Sequence, residues 1–208
     1  YYQNRKTGDL SWEKPDELKT KAELESAGGD WLWMPDKKEA FVAAKVTGRN
    51  GGKIQATAIN GTAYECVEGQ EAGAISNLHS INKREDDLVQ MLDVNEGSII
   101  HCLRERFKID EIYTAVGDIL IALNPYVRLP IYTPEKVYEY SHRGTRRLPP
   151  HVFDTASRAY LGMCEYHKDY SILISGESGA GKTEATKQVL IYLSEVAGGQ
   201  GPSDQIAQ

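Results

Sequence analysis

Cysteine, long apolar runs and an excess of positive charge are all scarce in this 208-residue sequence. Its three cysteines, Cys66, Cys102 and Cys164, are odd in number and lack metal-type spacing, which favours reduced thiols in a cytosolic protein. No apolar run approaches the roughly 20 residues that span a bilayer, and no signal-peptide pattern is present. The net charge of −6 disfavours a nucleic-acid partner, because phosphate binding normally requires a basic patch.

The sequence has 40% hydrophobic and 26% charged residues, a composition that is typical of a globular protein. The chain is long enough for one large core or for a core with small satellites. Its first residue is Tyr1 rather than Met, and the residues that follow are typical of the interior of an element. We therefore expect a truncated N-terminus.

Residues 1–18 alternate aromatic and polar side chains around a turn-rich centre, which predicts a strand, a turn and a second strand. Tyr1, Tyr2, Trp12 and Pro15 match late positions of the WW domain, so the segment resembles the second half of that domain. The resemblance implies an aromatic groove for proline-rich peptides. An exposed hairpin without a ligand is the alternative, because two strands alone bury little surface.

Residues 19–30 form a charged segment that ends in paired glycines, which is typical of a linker. From Trp31 to residue 80, short β-prone runs alternate with the turn signals "GRNGG", "NGT" and "EGQEAG". This spacing predicts a small antiparallel β-barrel of about five strands. No polar constellation within it suggests chemistry, so we interpret residues 31–80 as a structural or docking module.

Residues 81–208 show the mixed pattern of an α/β fold. Apolar periodicity predicts two helices joined by a short turn in residues 86–107, and the apolar run at residues 112–125 predicts one buried strand that a proline ends. The remaining predicted elements are helices at residues 134–144, 151–168 and 182–197 and a strand, "YSILIS", at residues 170–175. The order of strand, glycine-rich loop and helix is the context that a phosphate-binding loop requires.

The glycine-rich segment "GESGAGKT" fits the pattern G-x-x-x-x-G-K-[ST]. Its glycines let backbone N–H groups turn towards phosphate oxygens, and the following helix points its positive dipole end at the same anion. Lys182, the candidate catalytic residue, can reach the β- and γ-phosphates, and the Thr183 hydroxyl can ligate Mg²⁺. The predicted nucleotide-binding residues of the loop are Gly176, Glu177, Ser178, Gly179, Ala180, Gly181, Lys182 and Thr183.

Several stretches, in the same order, resemble the motor domain of the myosin family. "SILISGESGAGKTEATK" resembles its phosphate-binding loop, "DDLVQMLDVNEGSIIHCLRERF" its opening helices, and "LPPHVFDTASRAY" the helix before the loop. "IYTAVGDILIALNPYVRLPIY" resembles its first strands and purine-binding loop, and the barrel from Trp31 the small Src-homology-like module before many myosin motors. The resemblance covers residues 31–208 and implies an α/β P-loop NTPase domain preceded by a small all-β barrel.

The resemblance also implies site residues, ligands and partners. Asn124, Pro125 and Tyr132 match the family's adenine-contacting loop; a strand ended by proline, with Tyr132 packed in the core, is the alternative. The implied ligands are ATP and Mg²⁺, the implied partner is the actin filament, and the implied location is the cytoplasmic actin cytoskeleton. The intact protein is expected to be an actin-activated Mg-ATPase.

Hydrolysis in myosins also needs a switch I segment with Asn, Ser and Arg and a switch II segment with Asp and Gly, and neither pattern occurs in this sequence. Phosphoryl transfer depends on charge stabilisation and an oriented water held by several segments. We therefore expect these 208 residues alone to bind nucleotide weakly and without turnover. Two other classes stay open: another P-loop NTPase, such as a GTPase or a small-molecule kinase, and a proline-ligand adaptor acting through the WW-like segment.

Overall fold

The computed structural model describes residues 2–3, 10–11, 30–76, 83–142, 144 and 147–200. The chain divides into two compact units, one made of residues 1–83 with 92–101 and the other of residues 84–91 with 102–208. Among the described residues, no helix combines the length and the apolar character needed to cross a bilayer.

Two short strands near the N-terminus, β1 (Tyr2–Gln3) and β2 (Leu10–Ser11), pair in antiparallel fashion. This pairing agrees with the two predicted strands, and the predicted turn between them lies outside the described residues. Tyr1, Trp12 and Pro15, which carry the resemblance to a WW domain, lie outside the described residues. The WW interpretation therefore stays a prediction.

The first unit is built on a five-stranded antiparallel sheet, which confirms the predicted strand number and pairing. Its strands are β3 (Trp31–Asp36), β4 (Ala40–Asn50), β5 (Lys53–Ala58), β6 (Ala63–Val67) and β7 (Ala74–Ile75), in the spatial order β6-β5-β4-β3-β7. Gly51 and Gly52, with φ of 58° and 75°, turn β4 into β5, since a two-residue hairpin turn of this kind needs positive φ at both positions. Alternate strand residues such as Leu32, Met34 and Ile54 form its core.

Trp33 of β3 contacts the start of helix α1 (Glu96–Phe107). Its indole Nε1–H donates to the Ser98 hydroxyl at 2.9 Å, and both side chains are buried. A Cβ on Gly97 would lie 2.2 Å from the Trp33 ring, so this close approach requires glycine. The Asn95 side chain accepts from the Ser98 amide and donates to a β7 carbonyl, which attaches the residue before α1 to the sheet.

The second unit contains a 3₁₀ turn, a two-stranded hairpin and most of the helical residues. Its elements are the turn Leu88–Gln90, the end of α1, β8 (Tyr113–Val116), β9 (Ile119–Ala122), α2 (Pro134–Ser141), α3 (Val152–Tyr166), α4 (Lys182–Glu195) and a π-helical turn (Val196–Gln200). Its buried core includes Tyr113, Val137, Tyr140, Val152, Phe153, Ala156, Val189 and Tyr192. The three helices predicted after residue 130 are confirmed, with small differences at their ends.

The predicted pair of helices in residues 86–107 is wrong in its first member. Residues Leu88–Gln90 form only one 3₁₀ turn, and Met91 after it is extended, with φ −66° and ψ 141°. The Asp87 carboxylate accepts from the Val89 amide and from the Gly117 amide, and thus joins this turn to the β8–β9 hairpin. A long-range contact therefore stabilises a short turn where the apolar pattern predicted a helix.

The single buried strand predicted at residues 112–125 is also wrong. The segment folds back on itself as the β8–β9 hairpin, in which Val116 pairs with Ile119 and Gly117 has a φ of 59°. The β9 strand is not fully buried, since Ile119 is exposed. The dipeptide Gly117–Asp118 is a turn signal, and the apolar residues on both sides obscured it.

The strand predicted at residues 170–175 is not a strand in the part of the chain that the structure describes. Burial nevertheless alternates along the segment, because Ile172 and Ile174 are half-buried whereas Leu173 is 91% exposed. This alternation is that of an extended chain with one packed face. A strand also needs a hydrogen-bonded neighbour, and none pairs with this segment within the described ranges.

Candidate functional site

The predicted phosphate-binding loop lies between residues 170–175 and α4. Gly176, Gly179 and Gly181 have φ of 154°, 80° and 92°, values that residues with a Cβ rarely adopt. Gly181 directly precedes α4 and has no side chain with which to cap the helix. The first N–H groups of α4 are therefore available to an anion.

Lys182, the first residue of α4, folds back over the loop. Its Nζ donates to the carbonyl oxygens of Gly176 and Glu177, both at 2.8 Å. A hydrogen bond of 3.2 Å from the Ala180 amide to the Glu177 carbonyl closes the turn between them. The lysine charge thus lies within the loop, where it can form a charge-assisted hydrogen bond to an anion bound there.

Thr183 is an exposed residue in the first turn of α4. No group of three or more His, Cys, Asp or Glu side chains that could hold a metal occurs in the described ranges. Magnesium in nucleotide sites is usually bound by one or two protein groups together with the phosphates. Thr183 therefore fits the role of a single protein ligand to a magnesium ion that arrives with the nucleotide.

Asn124 follows β9 and contacts the phosphate-binding loop directly. Its Nδ2 donates to the Gly179 carbonyl at 2.7 Å across 55 residues of sequence, and its Oδ1 accepts from the Tyr126 amide at 2.9 Å. The structure therefore brings Asn124, and with it the adjoining Pro125, next to the glycine-rich loop. The predicted adenine-contacting loop and the predicted phosphate-binding loop therefore contact each other through Asn124 and Gly179.

Tyr132 lies half-buried in an aromatic cluster rather than in the open. Its hydroxyl shares a 2.8 Å hydrogen bond with the Tyr113 hydroxyl, and its ring centroid lies 5.6 Å from that of His151. Burial raises the pKa of Tyr132, and the carboxylate of Glu184, in the first turn of α4, adds to this increase. Tyr132 is thus packed against the core and also within electrostatic reach of the phosphate-loop helix, and its contact with adenine stays a prediction.

Tyr126 was not identified from the sequence, yet it lies beside the phosphate-binding loop. Its phenol oxygen lies 3.8 Å from the position that a Cβ on Gly179 would occupy, and its side chain is 81% exposed. Its φ of 54° is uncommon for a residue with a Cβ, and the hydrogen bond from its amide to Asn124 stabilises this conformation. The available sequence signal was an aromatic residue directly after Asn124 and Pro125.

His151, the residue before α3, was also missed. Its ring is buried, and its Nδ1 accepts from the Phe153 amide at 3.1 Å, so that it caps the helix. Burial lowers the pKa of His151 to about 4, because the imidazolium form is poorly solvated there. Because Nδ1 accepts a hydrogen bond, the neutral imidazole carries its proton on Nε2. Histidine is not among the preferred helix caps, which explains why the sequence pattern did not indicate it.

These groups together form an arrangement that could hold a polyphosphate. Backbone amides, the start of α4 and the Lys182 ammonium group supply positive potential, and the Asn124 loop lies along one side of it. Such an arrangement can bind the phosphate chain of a nucleotide while a neighbouring loop contacts the attached ring system.

Two protein-family models match this chain. Residues 20–65 match the myosin N-terminal SH3-like domain, and residues 85–207 match the myosin head, which is the motor domain. The second match includes the phosphate-binding loop and the Asn124 loop.

Individual relatives agree with these matches. The chain is 40% identical over 185 residues to the high molecular weight form of myosin-1 of Acanthamoeba castellanii, covering 88% of this chain and 12% of that protein. It is 38% identical over 166 residues to myosin type-2 heavy chain 2 of Schizosaccharomyces pombe, covering 80% and 8%. It is 45% identical over 122 residues to unconventional myosin-Ib of Homo sapiens, covering 59% and 11%. The chain thus spans about a tenth of the length of these relatives.

Proposed function

Because this chain belongs to the myosin head (motor domain) family, we propose that it is the nucleotide-binding first part of an actin-based motor. The intact protein then couples Mg-ATP hydrolysis to movement along actin filaments in the cytoplasm. Within this proposal, residues 31–80 form the small barrel and residues 81–208 belong to the motor domain, with residues 1–18 as a WW-like segment and residues 19–30 as a linker.

The geometry of the phosphate-binding loop is the observation that carries the proposal. Gly176, Gly179 and Gly181 have left-handed φ values, and the loop they shape leads directly into the N-terminus of α4. When nucleotide binds, the Lys182 ammonium group exchanges its two carbonyl partners for phosphate oxygens. The Thr183 hydroxyl ligates Mg²⁺, which neutralises part of the phosphate charge.

We assign the nucleotide base to the loop at residues 124–132, beside the phosphate-binding loop. Asn124 already donates to the Gly179 carbonyl, so a nucleotide whose phosphates lie in the loop has its base near residues 124–132. Pro125 limits the conformations of this loop, and the Glu184 carboxylate in the first turn of α4 adds to the raised pKa of Tyr132. Adenine contact by Asn124, Pro125 and Tyr132 completes the proposed ATP site.

Binding without turnover is the activity proposed for residues 1–208 alone. Lys182 and the loop amides can stabilise phosphate charge, but phosphoryl transfer also needs groups that orient the attacking water. The sequence contains neither switch pattern of the myosin family. Measurable ATP hydrolysis by the 208-residue chain that Lys182→Ala abolishes would contradict this part of the proposal.

Displacement of a fluorescent ATP analogue from the 208-residue chain tests the site. Lys182→Ala removes a charge-assisted hydrogen bond, and we expect the affinity to fall about tenfold to a hundredfold. Lys187→Ala is the matched control, because Lys187 lies on the same helix but is exposed and paired with Glu184 at 2.7 Å. Equal affinities of wild type and Lys182→Ala would refute the assignment.

Competition between nucleotides tests the base assignment. We expect ATP to displace the analogue at lower concentration than GTP, whereas a preference for GTP would favour another class of P-loop NTPase. Cosedimentation of the intact protein with actin filaments, with and without ATP, tests the motor proposal itself. A protein that stays in the supernatant under both conditions would contradict it.

A further inference from the structure

His151 makes two hydrogen bonds in opposite directions. The Nδ1 atom accepts from the Phe153 amide at 3.1 Å and caps α3, which leaves the proton of the neutral ring on Nε2. That Nε2–H donates to the carbonyl of Ile131 at 3.1 Å, across 20 residues of sequence. One ring therefore connects the start of α3 to the segment before Tyr132.

The ring of His151 also lies in the centre of an aromatic cluster. It stacks on Tyr140, with ring centroids 5.1 Å apart and an interplanar angle of 25°, and its centroid lies 5.6 Å from that of Tyr132. The Phe153 ring lies 4.5 Å from His151 and 6.1 Å from Tyr132. The position of Tyr132 is therefore restricted by packing as well as by the backbone bond at Ile131.

The same cluster reaches the phosphate-loop helix. The Phe153 ring lies 5.3 Å from the ring of Tyr192, a buried residue of α4. Buried aromatic contacts of this kind resist displacement, because the interior is close-packed. A continuous set of contacts thus runs from the loop around Tyr132, through His151 and Phe153, to the helix that begins at Lys182.

We infer that His151 is a positioning residue, which holds the base-side loop at a fixed distance from the phosphate-binding loop and thereby sets how much the base contributes to nucleotide affinity. The inference rests on the proposed function, since it assumes that a nucleotide binds across both loops. His151 itself touches no nucleotide. It acts through the Ile131 carbonyl and the Tyr132 ring.

Two substitutions separate the two hydrogen bonds of His151. In His151→Asn, the side-chain oxygen can replace Nδ1 as a helix cap, but the shorter side chain cannot reach Ile131. In His151→Gln, the longer amide can donate to Ile131 in place of Nε2, but it is a poor cap. The first variant therefore removes the connection to the loop, and the second removes the cap.

Affinities of the 208-residue chain for ATP and for inorganic tripolyphosphate are the two measurements. Tripolyphosphate has the phosphate chain without the nucleoside, so the ratio of the two affinities reports the contribution of the base together with its sugar. We expect His151→Asn to weaken ATP binding about threefold to tenfold, the effect of one hydrogen bond, with tripolyphosphate binding unchanged. We expect His151→Gln to keep the wild-type ratio and to unfold at lower urea concentration.

Tyr140→Phe is the control within the cluster. It removes the 2.8 Å hydrogen bond from the Tyr140 hydroxyl to the Pro149 carbonyl and leaves the ring against His151. We expect this variant to keep the wild-type ratio of affinities. If Tyr140→Phe lowered the ratio as much as His151→Asn, the effect would be general loosening of the cluster, and the inference would be overturned.

The remaining outcomes distinguish this inference from the proposed function. Wild-type ATP affinity in His151→Asn, or an equal loss for ATP and tripolyphosphate, would overturn the positioning role and leave the phosphate site intact. Equal affinities of the wild-type chain for ATP and tripolyphosphate would also overturn the positioning role, because the base would then contribute nothing to affinity. A wild-type chain that binds neither compound would overturn the proposed function and the inference together.

Discussion

Replacing the buried Arg106 by Met should strongly destabilise the second unit. The Arg106 side chain, near the end of α1, is only 3% exposed. Its Nε donates to the Thr114 hydroxyl and one Nη donates to the Tyr113 carbonyl, both at 2.9 Å. The other Nη lies 2.8 Å from the Asp86 carboxylate and 3.3 Å from that of Glu111. Methionine fills much of the same space but donates no hydrogen bond.

The magnitude follows from the burial of these partners. Thr114 and Tyr113 are buried, so each oxygen that loses its donor costs about 1–3 kcal/mol. Asp86 and Glu111 are 52% and 45% exposed, so water replaces the arginine and each ion pair contributes only about 0–1 kcal/mol. The expected loss is therefore about 2–8 kcal/mol, a large part of the stability of a typical domain.

Urea unfolding followed by far-UV circular dichroism measures this loss, because most helical residues lie in the second unit. The control is Lys108→Met, two residues along the chain, where an exposed pair with Glu105 predicts a change of at most about 0.5 kcal/mol. Tryptophan fluorescence reports separately on the first unit, since every tryptophan precedes residue 34. An Arg106→Met chain with the wild-type midpoint, or a Lys108→Met chain with an equal decrease, would refute the reasoning.

Three further predictions concern other parts of the chain. Ser98→Ala leaves the buried Trp33 indole without its acceptor, so the free energy of unfolding of the first unit should fall by about 1–3 kcal/mol; an unchanged urea midpoint by tryptophan fluorescence would contradict this. Gly181→Ala places a Cβ at a φ of 92°, which costs about 1–3 kcal/mol in the loop, and should lower the affinity for the fluorescent ATP analogue. An unchanged affinity would count against the loop geometry. The pKa of His151 is lowered to about 4 by burial, so the unfolded chain, with a pKa of 6.5, binds the proton first as pH falls. Stability should be unaffected above pH 6.5 and decrease by about 3 kcal/mol between pH 6.5 and pH 4, and urea titrations across this range should show a smaller decrease for His151→Asn.

Elements with strong local signals were predictable from the sequence. Thr133 and Pro134 mark the start of α2, where the Thr133 hydroxyl accepts from the Lys136 amide and Pro134 occupies the first helical position. The paired glycines at residues 51–52 mark the turn between β4 and β5. These signals are properties of a few adjacent residues, and they act wherever those residues occur.

Predictions failed where apolar character alone was the guide. Residues 112–125 and residues 170–175 are both rich in aliphatic side chains, yet one forms a hairpin and the other has no strand partner in the described part of the chain. An apolar run indicates burial but does not specify which neighbour supplies the hydrogen bonds. At residues 86–91, the hydrogen bonds of Asp87 favoured a single turn over a helix.

The sequence by itself determined the phosphate-binding loop, because glycine spacing, a lysine and a following helix are all encoded within residues 176–195. Only the tertiary structure decided that Asn124 bonds to Gly179, that Tyr126 lies beside the same glycine, and that His151 bonds to Ile131. Such contacts join residues far apart in the chain. They depend on how whole helices and loops pack, and no local pattern of residue types specifies that packing.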